Sequence, residues 1–151
     1  MAVAPSVHDA VASRLAQVDQ RYTPLRRALV ETLAVTPRPL TVPEIVAAAP
    51  QLPQSSAYRN VTVLMEAGVV RRVAGADDHG RFELAEEISG HHHHLVCMTC
   101  GSVEDVSPSP ALERALRAMA GTVAAEQGFL IDEHRLDLVG TCAACRAEQA
   151  R

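Results

Sequence analysis

Four histidines, His91 to His94, run into Cys97-Met98-Thr99-Cys100-Gly101, and a second Cys-x-x-Cys stands at Cys142 and Cys145. The run is internal, so it is not an expression tag. Imidazole and thiolate are the side chains that bind transition metals best, and metal binding is the chemistry these residues imply. The cysteines read as C-x2-C, 41 intervening residues, then C-x2-C. Each pair spans a tight turn whose backbone amides stabilise thiolates. Together Cys97, Cys100, Cys142 and Cys145 complete the closed tetrahedral set of a structural zinc. Ligation in small zinc domains contributes on the order of 10 kcal/mol to folding. Here it clips the C-terminal segment onto a sheet. A redox dithiol needs a thioredoxin-like βαβ surround, which neither pair has.

The histidines divide by parity. On a strand, alternate side chains face opposite sides. His92 and His94 then point one way while His91 and His93 point the other, and one run can serve two metal sites. That inference holds only if the run is extended; as a loop or helix it would be a solvated histidine surface. Further ligands must come from the nearby Glu83, Asp105, Glu113, His134, His79, Asp132 and Glu133. Of these, His134 stands out because it falls in a strand-like run opposite the histidine edge.

The elements that must position these residues follow from caps and periodicity. Ser6 is expected to cap a helix to about Val18. Thr23-Pro24 opens one from Pro24 to about Val35, and Thr41-x-x-Glu44 is a capping box for a short helix to about Ala49. Ser55 or Ser56 caps a helix through Ala67, stopped by Gly68. Strands over Val69–Ala74 and Arg81–Ala85, joined through Gly75 to Gly80, form a hairpin. Helices followed by a hairpin make a winged helix-turn-helix whose recognition helix carries Tyr58 and Arg59. Glu86–Gly90 reads as a polar linker. Strands over His91–Cys97 and Ser102–Val106, a helix over Pro110–Gln127 stopped by Gly128, and a strand over Phe129–Val139 follow. The fold class is α+β: an N-terminal winged helix-turn-helix, then a small α/β domain with a four-cysteine zinc site.

Composition sets bounds. A chain of 151 residues is one domain or two small ones. Hydrophobic residues make up 48% and aromatic residues 3%, so Ala, Val and Leu must fill the core. All 14 basic residues are Arg, which suits phosphate contacts. The net charge of −4 divides unevenly: residues 1–85 hold nine Arg against eight acids, and residues 86–151 five against ten. Two domains with different partners are the expectation. No signal-peptide pattern and no run near the ~18 apolar residues of a membrane span are present, so a cytoplasmic protein is expected. In that compartment paired cysteines hold metal more often than disulfides. Zinc deaminase chemistry needs His-x-Glu and Pro-Cys-x-x-Cys, and neither occurs. The chain is therefore expected not to be an enzyme and to have no small-molecule substrate. A structural zinc module for protein–protein interaction is the reading from another class; it has no use for Arg59 or the histidine run.

In these residues the chain resembles the ferric uptake regulator family of metal-sensing repressors, over nearly its whole length. The resemblance lies in Arg21-Tyr22-Thr23-Pro24 with Arg26, Ser56 to Val61 with Leu64 and Ala67-Gly68, and Phe82-Glu83-Leu84. It continues through His91 to Gly101, Gly128-Phe129, His134-Arg135-Leu136 and Gly140 to Cys145. It implies a homodimer: a DNA-binding domain over 1–85, a hinge over 86–90 and a metal-binding dimerisation domain over 91–151. Metal occupancy closes the dimer onto a palindromic operator in double-stranded DNA. Residue by residue, the four cysteines match the structural zinc, and Glu83, His92, His94 and Asp105 the sensory site. His91, His93, Glu113 and His134 match an additional site. Tyr58 and Arg59, with Ser56, are the expected base or phosphate contacts, and Arg21 and Arg26 position phosphate.

Two features depart from the family pattern. Many members carry a sensory His just before the segment written here Leu40-Thr41-Val42, where this chain has Pro39; His79 or a water is the possible substitute. Glu113 matches only with a one-residue shift. With the cysteines committed to the structural site, sensing falls to N and O ligands, which suit Fe(II), Mn(II), Ni(II) or Zn(II). Zinc-sensing relatives often add a Cys, and peroxide-sensing relatives usually carry Asp at the Glu83 position. Both points favour Fe(II) and an iron-responsive regulator of metal homeostasis over a zinc-uptake or peroxide regulator.

Overall fold

The computed structural model describes residues 3–73, 75 and 80–149. Helices α1 (Pro5–Gln17), α2 (Pro24–Val35), α3 (Val42–Ala48) and α4 (Gln54–Glu66) accompany a small antiparallel sheet whose first strand falls between α2 and α3 and whose third strand lies between the first and the second. Its strands are β1 (Leu40–Thr41), β2 (Val70–Val73) and β3 (Arg81–Leu84). This is the expected winged helix-turn-helix, with β1 as an addition. The Thr23 cap of α2 and the Thr41–Glu44 capping box form as the sequence predicts.

Two caps differ. α1 starts at Pro5 after Ala4, and α4 starts after Pro53, so Ser6, Ser55 and Ser56 lie inside first turns. Proline at or before the start fixes an extended entry by itself, and no side-chain cap is needed. On α4, Ala57, Val61 and Leu64 face inward at helical spacing. They join Val11, Leu15, Leu29, Ile45 and Val69 in one core. Burying each Leu or Ile of that core stabilises the fold by roughly 1.5–3 kcal/mol. The opposite face leaves Tyr58 and Arg59 exposed.

Residues 86–90 are not a plain linker. Glu86–Ser89 form one helical turn, α5, and Ile88 packs against the winged-helix core. Hydrophobic anchoring thus overrides the polar composition. Beyond it, β4 (His93–Cys97) pairs antiparallel with β5 (Val103–Val106) and parallel with β6 (Asp137–Gly140). α6 (Pro110–Gln127) runs between β5 and β6, and α7 (Ala143–Gln149) follows. The third strand is shorter than the Phe129–Val139 expectation because only 137–140 find ladder partners on β4. His134 is therefore on an irregular segment and not on a strand. β4 likewise begins two residues later than expected, and α7 was not foreseen.

This second unit has little core of its own. Val96 and Val103 cluster with Val73 of β2, while α6 buries no residue and β6 is exposed throughout. Phe129 and Leu130 stand 69% and 81% exposed. None of the helices is long and apolar enough to cross a membrane among the described residues.

Candidate metal centres

Three groups of ligand-type side chains converge, each with one potential ligand atom per residue lying within 4.8 Å of the others. The first is Cys97, Cys100, Cys142 and Cys145. The first pair sits on the turn leaving β4, where Gly101 at φ 71° lets the backbone reverse. The second pair flanks the start of α7, brought to β4 by the parallel register of Cys97 with Gly140. The Cys142 amide donates to Cys97 Sγ at 3.3 Å, and Cys100 and Cys142 sulfurs are 3.9 Å apart. Amides of Cys142 and Cys100 lower the Cys97 thiol to about 6, and Ser102 lowers Cys100. Hydrogen bonding to Cys142 and its other neighbours pushes Cys145 up to about 12. Four sulfurs so close cannot all ionise without a cation among them. The donor set fits zinc, which would be held by these four thiolates.

The second group is Glu83, His92, His94 and Asp105. Glu83 lies on β3 of the winged helix, and His94 faces Asp105 across the β4–β5 ladder. Glu83 Oε2 accepts from His94 Nε2 at 3.0 Å and His92 Nε2 at 3.3 Å. Each imidazole is anchored by its other nitrogen: His92 Nδ1 on the Gly90 carbonyl at 2.9 Å and His94 Nδ1 on Asp137 Oδ1 at 3.2 Å. That outer hydrogen bond is what fixes the tautomer of a metal-ligating histidine. Burial works against ionised Glu83, yet the two histidines and Arg71 hold it at about 2. Its hydrogen bond raises His92 to about 9 against burial. Burial alone would lower His94, but Glu83 and Asp137 raise it, and burial raises Asp105.

The third group is His91, His93, Glu113 and His134, on the other face of β4. A single oxygen, Glu113 Oε1, meets His93 Nε2 at 2.9 Å, His91 Nε2 at 3.3 Å and His134 Nε2 at 3.4 Å. Burial opposes ionisation of Glu113, but these histidines lower it. The Ser109 cap and Pro110 start α6 where its first turn delivers Glu113. Gly128, at φ 61°, ends that helix and turns the chain towards His134. Asp105 Oδ1, His93 Nδ1, Glu113 Oε2 and His134 Nε2 are buried with no hydrogen-bond partner among the described residues. Native interiors seldom leave such atoms unsatisfied, and a bound cation accounts for carboxylate oxygens of this kind. Both all-nitrogen-and-oxygen sets fit a divalent metal.

The parity split thus places the side chains correctly even though His91 and His92 precede the strand. Asp132 and Glu133 belong to none of the three groups, and His79 lies outside the described residues. Sequence reasoning missed Asp137, Glu86 and Arg71. Asp137 reaches His94 only through the β4–β6 pairing. Glu86 Oε2, on the supposed linker, meets His91 Nδ1 at 2.7 Å. Arg71, on β2, pairs with Glu83 across the β2–β3 ladder. Pro39 is fully buried, beside the Leu40 that pairs with Phe82, and it offers no ligand.

Of the expected DNA contacts, Arg21, Tyr58 and Arg59 are exposed and Ser56 is half-buried. Arg26 is tied up internally, donating to Asn60 Oδ1 at 3.1 Å, Gln20 Oε1 at 2.8 Å and the Arg21 carbonyl. It braces α2 against α4.

Comparisons with known proteins agree with this fold. A family model described as the ferric uptake regulator family matches residues 17–139. The chain is 29% identical over 147 residues to the ferric uptake regulation protein of Bacillus subtilis (strain 168), covering 93% of this chain and 95% of that one. It is 27% identical over 139 residues to the peroxide operon regulator of the same organism, covering 89% and 90%. In fold it is similar to the Helicobacter pylori ferric uptake regulator, with a TM-score of 0.73 at 19% identity over 93% of this chain and 92% of that one.

Proposed function

The chain belongs to the ferric uptake regulator family of metal-responsive transcriptional regulators, and from that premise we propose an Fe(II)-responsive, homodimeric repressor that binds a palindromic operator. The observation that carries this reading is the Glu83–His92–His94–Asp105 cluster. It joins β3 of the winged helix to β4 and β5 of the second unit. A cation there adds positive charge shared between both sides of the junction, and so favours the arrangement in which they meet. Only such differential affinity shifts a conformational population.

The domain division 1–85, 86–90 and 91–151 is part of this proposal, with α5 as the hinge element. Two features support the dimer. The second unit has almost no core, and it presents Phe129, Leu130, Leu138 and Val139 to solvent. Apolar surface of that extent marks an interaction site. Tyr58 and Arg59 on the free face of α4 supply base or phosphate contacts, with Ser56 and Arg21 beside them. Arg26 serves the interface by bracing it.

The all-nitrogen-and-oxygen sensory set and the carboxylate Glu83 support Fe(II); Mn(II) and Zn(II) share the preference for such donors. Among relatives, some are named for ferric uptake and others for peroxide. Operator binding titrated with each divalent metal, with metal counts per chain, tests the reading. Fe(II) should promote specific duplex binding at the lowest free concentration, and His92→Ala with His94→Ala should abolish the response. A double variant that still responds to metal overturns the sensory assignment.

A further inference from the structure

The two histidine clusters lie on opposite faces of β4, yet they are joined by a continuous chain of charged contacts through Arg71 and Glu86. Glu83 Oε1 accepts from Arg71 Nε at 2.5 Å, and Arg71 Nη1 donates to Glu86 Oε1 at 2.5 Å. Glu86 Oε2 meets His91 Nδ1 at 2.7 Å, and His91 Nε2 faces Glu113 Oε1 at 3.3 Å. Arg71 and Glu86 are only 18% and 21% exposed, so solvent screens the bridge weakly. The guanidinium fork serves two carboxylates at once, a role a lysine ammonium does not reproduce.

From this bridge, and resting on the metal-sensing reading above, we infer that Arg71 and Glu86 are positioning residues that couple occupancy of the two clusters and carry it to the wing. With Nε2 turned into its cluster, His91 keeps its proton on Nδ1 and donates it to Glu86 Oε2. Glu86 then holds its other oxygen on Arg71, and Arg71 holds Glu83 Oε1. Glu83 Oε2 is left aimed at His92 and His94. One set of rotamers therefore suits both clusters. Filling either meets the ordering cost for both, which is positive coupling. The route has particular value in this chain because position 39 is a buried proline without a ligand atom. Arg71, on β2, gives the winged helix a second connection to the junction besides Glu83.

The test uses the full-length zinc-loaded protein and Co(II) as the probe, followed by visible absorption and calorimetry. The Co(II) affinity of the His91 cluster is measured with the sensory cluster filled and, in the His92→Ala, His94→Ala background, with it disabled. The ratio should be about fivefold or more in the wild type. Glu86→Gln has one acceptor oxygen where the carboxylate has two, so it serves His91 or Arg71 but not both, and should bring the ratio to about one. Arg71→Lys, conserving charge but not the fork, should do the same. Arg71→Lys should leave the affinity of the isolated His91 cluster and the thermal midpoint near their parent values, which a merely structural role would not allow; Glu86→Gln, which alters the outer partner of His91, is read by the ratio alone. Cobalt bound at both clusters without coupling, or coupling that survives Glu86→Gln, overturns the bridge alone. No cobalt at either cluster overturns the sensing reading and the bridge with it.

Discussion

Removing the outer partner of His94 tests whether the sensory cluster is organised as described. Asp137→Ala deletes the acceptor of the His94 Nδ1–H, a 3.2 Å bond, without touching any of the four ligand-type residues. Loss of such a partner typically costs 10- to 100-fold in metal affinity. Asp137 is 45% exposed, so water can replace part of what it supplies. The expected loss is therefore at the lower end, about tenfold or roughly 1.4 kcal/mol. Asp137→Asn keeps an acceptor oxygen and should recover most of the affinity. Calorimetric titration of Mn(II) into zinc-loaded protein measures both variants, while the His91 cluster serves as internal control. An affinity within twofold of wild type for Asp137→Ala, or an equal loss at both clusters, would refute the argument that this bond orients His94.

Cys142→Ser should abolish the four-cysteine zinc and, with ligation on the order of 10 kcal/mol in small domains, unfold or monomerise the second unit; metal counts and sedimentation check this. Arg59→Ala should weaken operator binding by about 1–3 kcal/mol with no change in metal content, read by fluorescence anisotropy and metal analysis. Stability of the metal-free protein should also follow the Glu83–His92 pair. Glu83 is depressed from 4.5 to about 2, so its contribution is present above pH 4.5 and lost as pH falls through 2. His92 is raised from 6.5 to about 9, so its contribution is full below pH 6.5 and lost as pH rises through 9. Thermal midpoints of the metal-free protein should thus peak between about pH 4.5 and 6.5, and Glu83→Gln should flatten that profile.

Much of the candidate site was legible because its chemistry is local. Ligand types, the Cys-x-x-Cys spacing and the period-two alternation of side chains are properties of short segments, and they separated the four cysteines and the two histidine pairs, while the resemblance to the family supplied Glu83, Asp105, Glu113 and His134. Helix starts with a side-chain cap, at Thr23 and Thr41, were equally legible. Where proline alone set the entry, at Pro5 and Pro53, serine looked like a cap and was not one.

The donor types, the split of the histidine run and the α+β order of elements were readable along the chain, since hydrophobic period and capping act within a few residues. Which groups stand behind those donors depends on how distant segments pack. Asp137 reaches His94 because β6 pairs parallel with β4. Arg71 reaches Glu83 because β2 and β3 align in one register. Glu86 reaches His91 because Ile88 draws the supposed linker into a helical turn against the core. Those contacts depend on long-range pairing and burial, which no local pattern encodes.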